Sequence, residues 1–497
     1  MSTARTIAWN TIVQFAARIV GILAQALIVI ILTRSFVENL GPVEGVREMG
    51  RYTTIFAFTI LFGTFSEFGF FPTLVKEFSQ KEDRTREILA KAIPLRLIVA
   101  FLVALLGIGL ALLLRFEYVI TVGIVLLAVS TLWNAISNTI VSYFQSRLLM
   151  IYPATAETLG RVLAFAVVAA AALSGASLLT IVVLSLLGFL VTFLANLYFL
   201  RRFVPLGWQI DKEYWRTLVR HAVPVGLISV LALVYFKIDT VMLAAMRDQF
   251  DVGVYGVPYK VIDVLVAFPS LFMGNVFPVL ARVLGDHERS LAVFRKALDF
   301  LAVSGFPVVV GIFVLALPIV HLIGGDTYLS ASSVSYGGIP ITAVTVLRIL
   351  IWAVFAAFFG NLLSALIILK NLQSKYVWAA VAALLFNVGA NYLIIPHYSY
   401  LGTSLTTIAT ELVVAIPGWY LIWKVTHFRP DWTLFRKAGL AALVMGVAIW
   451  PLQTLPFGWA LTIGVPLGAA IYLGILRLLG GFSMEMVREI LRKAPAA

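Results

Sequence analysis

The chain has 497 residues, of which 61% are apolar, 13% aromatic and 12% charged, and its net charge is +13. Soluble domains carry about 25% charged and about 45–50% apolar residues, so a water-exposed globular protein is excluded, as is a disordered chain. There is no cysteine, which removes disulfide scaffolds, thiol catalysis and thiolate metal sites and leaves an all-α polytopic membrane protein.

A helix that crosses a bilayer needs about 20 mostly apolar residues. Fourteen runs meet that template, at about 7–33, 52–75, 95–114, 118–143, 154–173, 177–200, 221–246, 254–278, 297–323, 339–369, 376–397, 399–424, 437–455 and 458–480. The first holds Gln14, Arg18 and Gln25 and begins too early for a signal peptide with its own basic region and cleavage site. It reads as a retained helix.

The 37 Lys and Arg residues then sort by loop. With the N-terminus inside, 27 fall in inner segments, Arg96, Arg429, Arg488, Arg492 and Lys493 among them. Five fall in outer segments: Arg34, Arg47, Arg51, Arg115 and Arg247. Arg18, Arg161, Lys237, Lys260 and Arg348 lie within spans. This asymmetry follows the positive-inside rule. It requires an even number of crossings and puts both termini in the cytoplasm. The positive charge is therefore topological, and nucleic acid is not an expected partner. The longest outer loop, Arg34 to Arg51, spans eighteen residues, too few for a soluble domain.

The first six spans resemble the next six. Gly50-Arg51-Tyr52 opens span 2 and Gly253-Val254-Tyr255 opens span 8; Phe71-Pro72 and Phe277-Pro278 close them. Lys91-Ala92-Ile93 and Lys296-Ala297-Leu298 end the following loops. Six spans per repeat give the halves one orientation, as in parallel-repeat transporters with a site between the halves. The expected organisation is a first lobe at 1–219, a second at 220–427, and spans 13–14 with a cytoplasmic tail at 428–497.

Ionisable groups near the bilayer centre cost at least about 2.5–3.5 kcal/mol each and face cavities or partners. Arg18, Glu67, Lys237, Asp239, Lys260, Asp263, Arg348 and Glu411 are such groups. Arg18 and Arg348 lack an acid three or four residues away. Lys260 and Asp263 share a helix face and are able to neutralise each other; Glu157 and Arg161 read as an interfacial ion pair. A cavity with fixed cations suits a phosphate or diphosphate, whose oxygens a guanidinium matches bidentately. The same charges are equally consistent with mutual ion pairs. No G-x-x-x-x-G-K-[ST], G-x-S-x-G or H-E-x-x-H motif occurs, and the five histidines have no ligand-like spacing. Neither an enzyme, a metal site nor a cofactor is expected.

Three stretches carry a family resemblance. Leu32-Thr33-Arg34 through Leu40-Gly41-Pro42 to Gly50-Arg51-Tyr52 resembles the opening motif of the polysaccharide transporter family, with extra residues between Pro42 and Gly50. Lys237 to Leu243 followed by Val252-Gly253-Val254-Tyr255 resembles its span 7–8 motif. Asn387, Asn391, Ile395-Pro396 and Tyr400 to Ser404 resemble its span 11–12 junction, although Ser399–Ser404 reads Ser-Tyr-Leu-Gly-Thr-Ser where the family often has Tyr-Gly-x-x-Gly-Ala.

The resemblance implies the fold of the multidrug/oligosaccharidyl-lipid/polysaccharide (MOP) exporter superfamily, two six-helix lobes in a MATE-like V plus two C-terminal helices. It further implies a flippase in the cytoplasmic membrane for polyprenyl-diphosphate-linked oligosaccharides, serving surface polysaccharides such as O-antigen. Arg18, Lys237, Lys260 and Arg348 would hold the diphosphate or acidic sugars. Glu67, Asp239, Asp263 and Glu411 would be cavity or ion-coupling acids. Implied partners are the lipid-linked cargo, membrane lipids, and the polymerase and glycosyltransferases of the pathway. The alternatives are a cation-coupled multidrug exporter and a peptidoglycan-precursor flippase of the same superfamily.

Overall fold

The computed structural model describes residues 3–370, 372–428 and 430–481. Arg429, Arg488, Arg492 and Lys493 lie outside the described residues. Twelve helices among those described are long and apolar enough to cross a membrane. Of these, α13 (Gln373–Thr426) has 54 residues. At 1.5 Å rise per residue that is about 80 Å, enough to cross a core of about 30 Å twice, and it breaks at Ser399. In addition, α8 (Lys212–Met246) covers the seventh apolar run. Each of the fourteen runs thus maps onto helix, although the tenth begins at Ala343 and not at residue 339, where a short strand lies.

The chain groups into two compact units, Met1–Gly256 with Val388–Tyr400, and Val257–Asn387 with Leu401–Ala497. The first contains α1 (Thr3–Leu40), α2 (Pro42–Glu67), α3 (Phe70–Gln80), α4 (Thr85–Leu113), α5 (Tyr118–Ser146), α6 (Ile151–Leu173), α7 (Leu178–Arg201), α8 and the start of α9 (Gln249–Arg282).

The eighteen-residue outer loop expected between Arg34 and Arg51 does not exist. α1 runs to Leu40 and α2 starts at Pro42, joined through Gly41 at φ 85°. Proline suits the first helical turn, where its missing N–H is no loss. Hydropathy finds where a helix leaves the apolar run, not where it ends. Here it continues in polar surroundings because its charges pair on the helix surface. Arg47 bridges Glu44 and Arg51 bridges Glu48, both at 2.6 Å, and Arg51 also reaches Glu44 at 2.6 Å and Glu117 at 2.7 Å.

The two Gly-x-Tyr motifs pack against each other. A Cβ on Gly50 would strike the Gln249 carbonyl, and a Cβ on Gly253 would strike the Val46 carbonyl. The reciprocity (Val46 is to Gly50 as Gln249 is to Gly253) is that of an isologous contact. It relates α2 to α9 by the repeat's own offset. Thr54 Oγ1 donates to Gln249 Oε1 at 2.7 Å beside the crossing.

Pro94 lies inside α4. A proline has no N–H for the carbonyl four residues back, and that carbonyl, on Ala90, accepts instead from Gln209 N at 2.9 Å. The next carbonyl, on Lys91, accepts from the Trp215 indole at 2.8 Å. Lys91 Nζ pairs with Asp211 at 2.7 Å. The connection between the repeats is thereby clipped to α4. Around it Phe70, Leu74, Phe78, Leu89, Phe144, Leu200 and Leu218 form a buried core.

The second unit contains the rest of α9, α10 (His287–Val314), α11 (Ala316–Ser330), α12 (Ala343–Leu369), parts of α13, α14 (Trp432–Ile449) and α15 (Phe457–Leu478). Between α11 and α12 lies a small hairpin, β1 (Ser335–Tyr336) with β2 (Ile339–Pro340), turning through Gly337 and Gly338 at φ 59° and 78°. α14 and α15 pack on each other, with α14 also on α10 and α15 also on α11. Val314, Leu315, Ala441, Met445, Ile449 and Tyr472 form their shared core. Tyr472 Oη donates to the Val303 carbonyl at 2.7 Å.

Candidate functional site

In the first unit, α1 carries Arg18 exposed. A Cβ on Gly21, one turn further on, would collide with the Arg161 guanidinium of α6. The glycine therefore leaves a slot in α1 that Arg161 crosses, so two arginines lie within one turn of each other along α1. Arg161 also pairs with Glu157, as its spacing predicted.

Glu67 ends α2, where the helix breaks through Phe68 (φ 22°) and Gly69 (φ 77°). Its carboxylate accepts from Arg96 at 2.5 Å and from Asn138 Nδ2 at 2.9 Å. Arg96 is completely buried. This corrects its placement among the inner loop cations. It lies within α4, donates to the Ser66 carbonyl at 2.6 Å and packs over the Phe70 ring at 4.8 Å. Carbonyls of the last helical turn have no helical donor, and a cation there also opposes the helix dipole. Arg96 stands one residue inside the inner end of the apolar run that begins at Leu95, next to the basic stretch before it, which is why it reads with the inner loop cations; α4 begins ten residues earlier, at Thr85. Pro94 marks a turn whose carbonyls face other donors, but no local signal names Glu67 as the partner.

Lys237 and Asp239 are both buried, at 8% and 1% exposure. Asp239 accepts from Tyr255 Oη at 2.7 Å and from Thr240 N at 2.6 Å. Tyr255 is the tyrosine of the second Gly-x-Tyr motif. In the first motif, Tyr52 is likewise buried and hydrogen-bonds the Gln25 side chain of α1. Each motif tyrosine thus reaches back to a polar residue of the preceding span, an amide in the first repeat and an acid in the second.

At Ser399 the break in α13 has φ 46° and ψ −133°, a region that non-glycine residues occupy only at a cost of about 1–3 kcal/mol. Ser399 Oγ donates to Asp251 at 2.6 Å, and Asp251 also accepts from Arg247 at 2.9 Å. Both Ser399 and Asp251 are buried.

In the second unit, Lys260 and Asp263 lie half-buried on one face of α9. Arg348 of α12 donates to the Phe313 carbonyl at 3.1 Å and to Gln453 at 3.0 Å. Its guanidinium sits 5.6 Å from the Phe313 ring and 5.7 Å from the Trp450 ring. It ties α10 and α12 to the turn between α14 and α15. Glu411 is buried in the second half of α13.

The candidate residues therefore divide by unit. Arg18, Glu67, Lys237 and Asp239 belong to the first; Lys260, Asp263, Arg348 and Glu411 belong to the second. Only Lys237 with Asp239 and Lys260 with Asp263 are local neighbours. Among the described residues no three His, Asp or Glu side chains cluster as metal ligands. Outside the spans, the Lys91 ammonium holds the Asp211 carboxyl below the usual carboxylate range. Arg161, Arg96 and Asn138 join the site residues that sequence reasoning left out.

A sequence model described as polysaccharide biosynthesis protein matches residues 6–284. No curated protein matches the chain. Among solved structures, the lipid II flippase MurJ in its inward closed conformation is similar with a TM-score of 0.74 at 15% identity, covering 94% of this chain and 98% of that one. A multidrug resistance MATE family transporter of the MOP superfamily in its inward-facing conformation gives 0.61 at 14% identity, covering 84% and 99%. A MOP superfamily transporter from Pyrococcus furiosus gives 0.56 at 16% identity, covering 85% and 96%.

Proposed function

The chain belongs to the polysaccharide biosynthesis protein family and has the fold of the MOP superfamily; on that premise we propose that it is a flippase moving a polyprenyl-diphosphate-linked oligosaccharide across the cytoplasmic membrane. The observation that carries the reading is the family match over the first repeat of a multi-span helical bundle. A membrane protein of polysaccharide biosynthesis without an enzymatic motif fits carriage of a lipid-linked intermediate. Arg18, exposed on α1 one turn from the slot crossed by Arg161, supplies the cationic chemistry that a diphosphate needs. Lys237, Lys260 and Arg348 are its further cationic candidates. The inner excess of Lys and Arg sets both termini in the cytoplasm, on the side where glycosyltransferases would load the carrier and from which a polymerase would be supplied.

The test is accumulation of lipid-linked oligosaccharide in the inner leaflet of a deletion strain. Wild type should clear it, and Arg18→Ala at normal membrane level should not. Clearance by both Arg18→Ala and Arg348→Ala variants would overturn the cationic-site assignment. The fold shared with a lipid II flippase favours a second reading, carriage of a peptidoglycan precursor. Rescue of a strain depleted of its lipid II flippase separates the two. A drug-susceptibility panel on the deletion strain reports multidrug export.

A further inference from the structure

We propose that the connection between the repeats and the first turns of α8 form a docking site for anionic phospholipid headgroups of the inner leaflet. From Pro205 to Ile210 the chain is neither helix nor strand. Gly207 lies so close to α4 that a Cβ there would meet the Ala90 Cβ at 2.8 Å, and Gln209 N donates to the Ala90 carbonyl at 2.9 Å. Leu206, Trp208 and Ile210, at alternate positions, take the side opposite Gly207 in an extended chain. All three are exposed, Trp208 at 65% and Ile210 at 63%. A backbone clipped to α4 cannot fold these side chains back into the core. A membrane interface covers them, and tryptophan suits it because its ring is apolar and its N–H polar.

The helix that follows carries the charge. Lys212, Arg216 and Arg220, at i, i+4 and i+8, share one face of α8 and are exposed. Val223 and Leu227 continue that face and are exposed as well. On a membrane-crossing helix, exposed apolar side chains mark where hydrocarbon begins. At 1.5 Å per residue, Arg220 and Arg216 stand about 5 and 10 Å toward water from Val223, the depth of a headgroup layer. Residues 212–220 hold one acid, Glu213, against the three cations. Asp211 is already engaged by Lys91 and by the N–H groups of Glu213 and Tyr214 that open α8.

Guanidinium groups match phosphate oxygens bidentately, and each Lys or Arg held at an anionic leaflet strengthens attachment about fivefold. A soluble acidic partner could pair with the cations, but it could not follow the same face into hydrocarbon at Val223 and Leu227, as a lipid does. The apolar strap and the cationic face thus fit the upper acyl chain and the headgroup of one kind of molecule. Assignment to the inner leaflet rests on the orientation given under the proposed function; the site itself is independent of the cargo.

The chain has no cysteine, so Trp208→Cys takes a single nitrobenzoxadiazole label. With the full chain in phosphatidylglycerol-containing nanodiscs, a phospholipid spin-labelled near its headgroup should quench the label, and aqueous iodide should not. Separately, the protein in detergent is titrated with phosphatidylglycerol or phosphatidylcholine, and bound lipids are counted by native mass spectrometry. The first phosphatidylglycerol should bind more tightly than phosphatidylcholine. Arg216→Gln should weaken it about fivefold, and Arg216→Gln with Lys212→Gln and Arg220→Gln about a hundredfold, with phosphatidylcholine binding unchanged. Quenching by iodide and not by lipid would put the strap in water and overturn the proposal, whether or not the charge variants fold. Equal affinity for the two lipids, or unchanged phosphatidylglycerol affinity in the triple variant, would overturn the headgroup site. Tighter binding of a polyprenyl diphosphate, lost in the same variant, would give the face to the cargo instead. Labelling of Trp208→Cys from outside intact cells by an impermeant maleimide would overturn the inner-leaflet assignment.

Discussion

Replacing Arg96 with methionine tests how the break between α2 and α3 is held. Arg96 is completely buried, bridges Glu67 at 2.5 Å, donates to the Ser66 carbonyl at 2.6 Å and stacks on Phe70 at 4.8 Å. Methionine roughly keeps the apolar volume, so little of the effect comes from a cavity. What is lost is the charge partner of Glu67 and the donor to a helix-terminal carbonyl. Removing one partner of a buried pair costs about 3–5 kcal/mol, because the other charge is left uncompensated. Glu67 keeps only Asn138, and its second oxygen is already buried without a partner. Arg96→Met should therefore cost about 3–5 kcal/mol. Arg96→Met with Glu67→Gln should recover most of that, leaving roughly the 1–3 kcal/mol of an unsatisfied carbonyl. The assay is a double-mutant cycle on unfolding in bicelles by steric trapping. A single-variant cost under about 1 kcal/mol, or additive effects in the double variant, would refute the clasp.

Three further outcomes are expected. Gly50→Val should destabilise by about 1–3 kcal/mol through overpacking at the α2–α9 crossing, and Gly253→Val should match it because the contact is reciprocal; thermal unfolding in nanodiscs checks both, and a neutral substitution at either position refutes the crossing. Ser399→Ala keeps the strained backbone and loses the bond to Asp251, costing about 1.5–3 kcal/mol, whereas Ser399→Gly loses the same bond but relieves strain; glycine should be the milder change, and equal costs would remove the strain argument. Asp211 has a lowered folded pKa, so its contribution is present above the unfolded value of about 3.9 and is lost as pH falls through the folded value. Trp215 fluorescence should report release of the inter-repeat connection at acid pH in wild type, while Asp211→Asn should show that released signal at neutral pH already; identical profiles would mean that Lys91 and Asp211 do not hold it.

The two Gly-x-Tyr motifs were legible because they are backbone requirements. Glycine at positions 50 and 253 permits close approach, and the tyrosine two residues on needs a buried acceptor. The sequence could show that these motifs recur, but not that they meet. The span count was legible because hydrocarbon demands apolar length. The outer loop at 34–51 was misread because charges that pair along a helix surface resemble a loop to a hydropathy window.

Composition and the fourteen apolar runs by themselves determined a multi-span helical membrane protein, because lipid imposes length, polarity and backbone satisfaction on each span separately. Those are properties of local sequence. Which intramembrane charges are paired was decided only by the tertiary structure. Arg96 meets Glu67 across 29 residues and Arg348 meets Gln453 across 105, and neither partner stands at a helical spacing that the sequence could flag. A charge's role inside a membrane is set by what distant segments bring within about 3 Å of it, and that distance is a property of the fold.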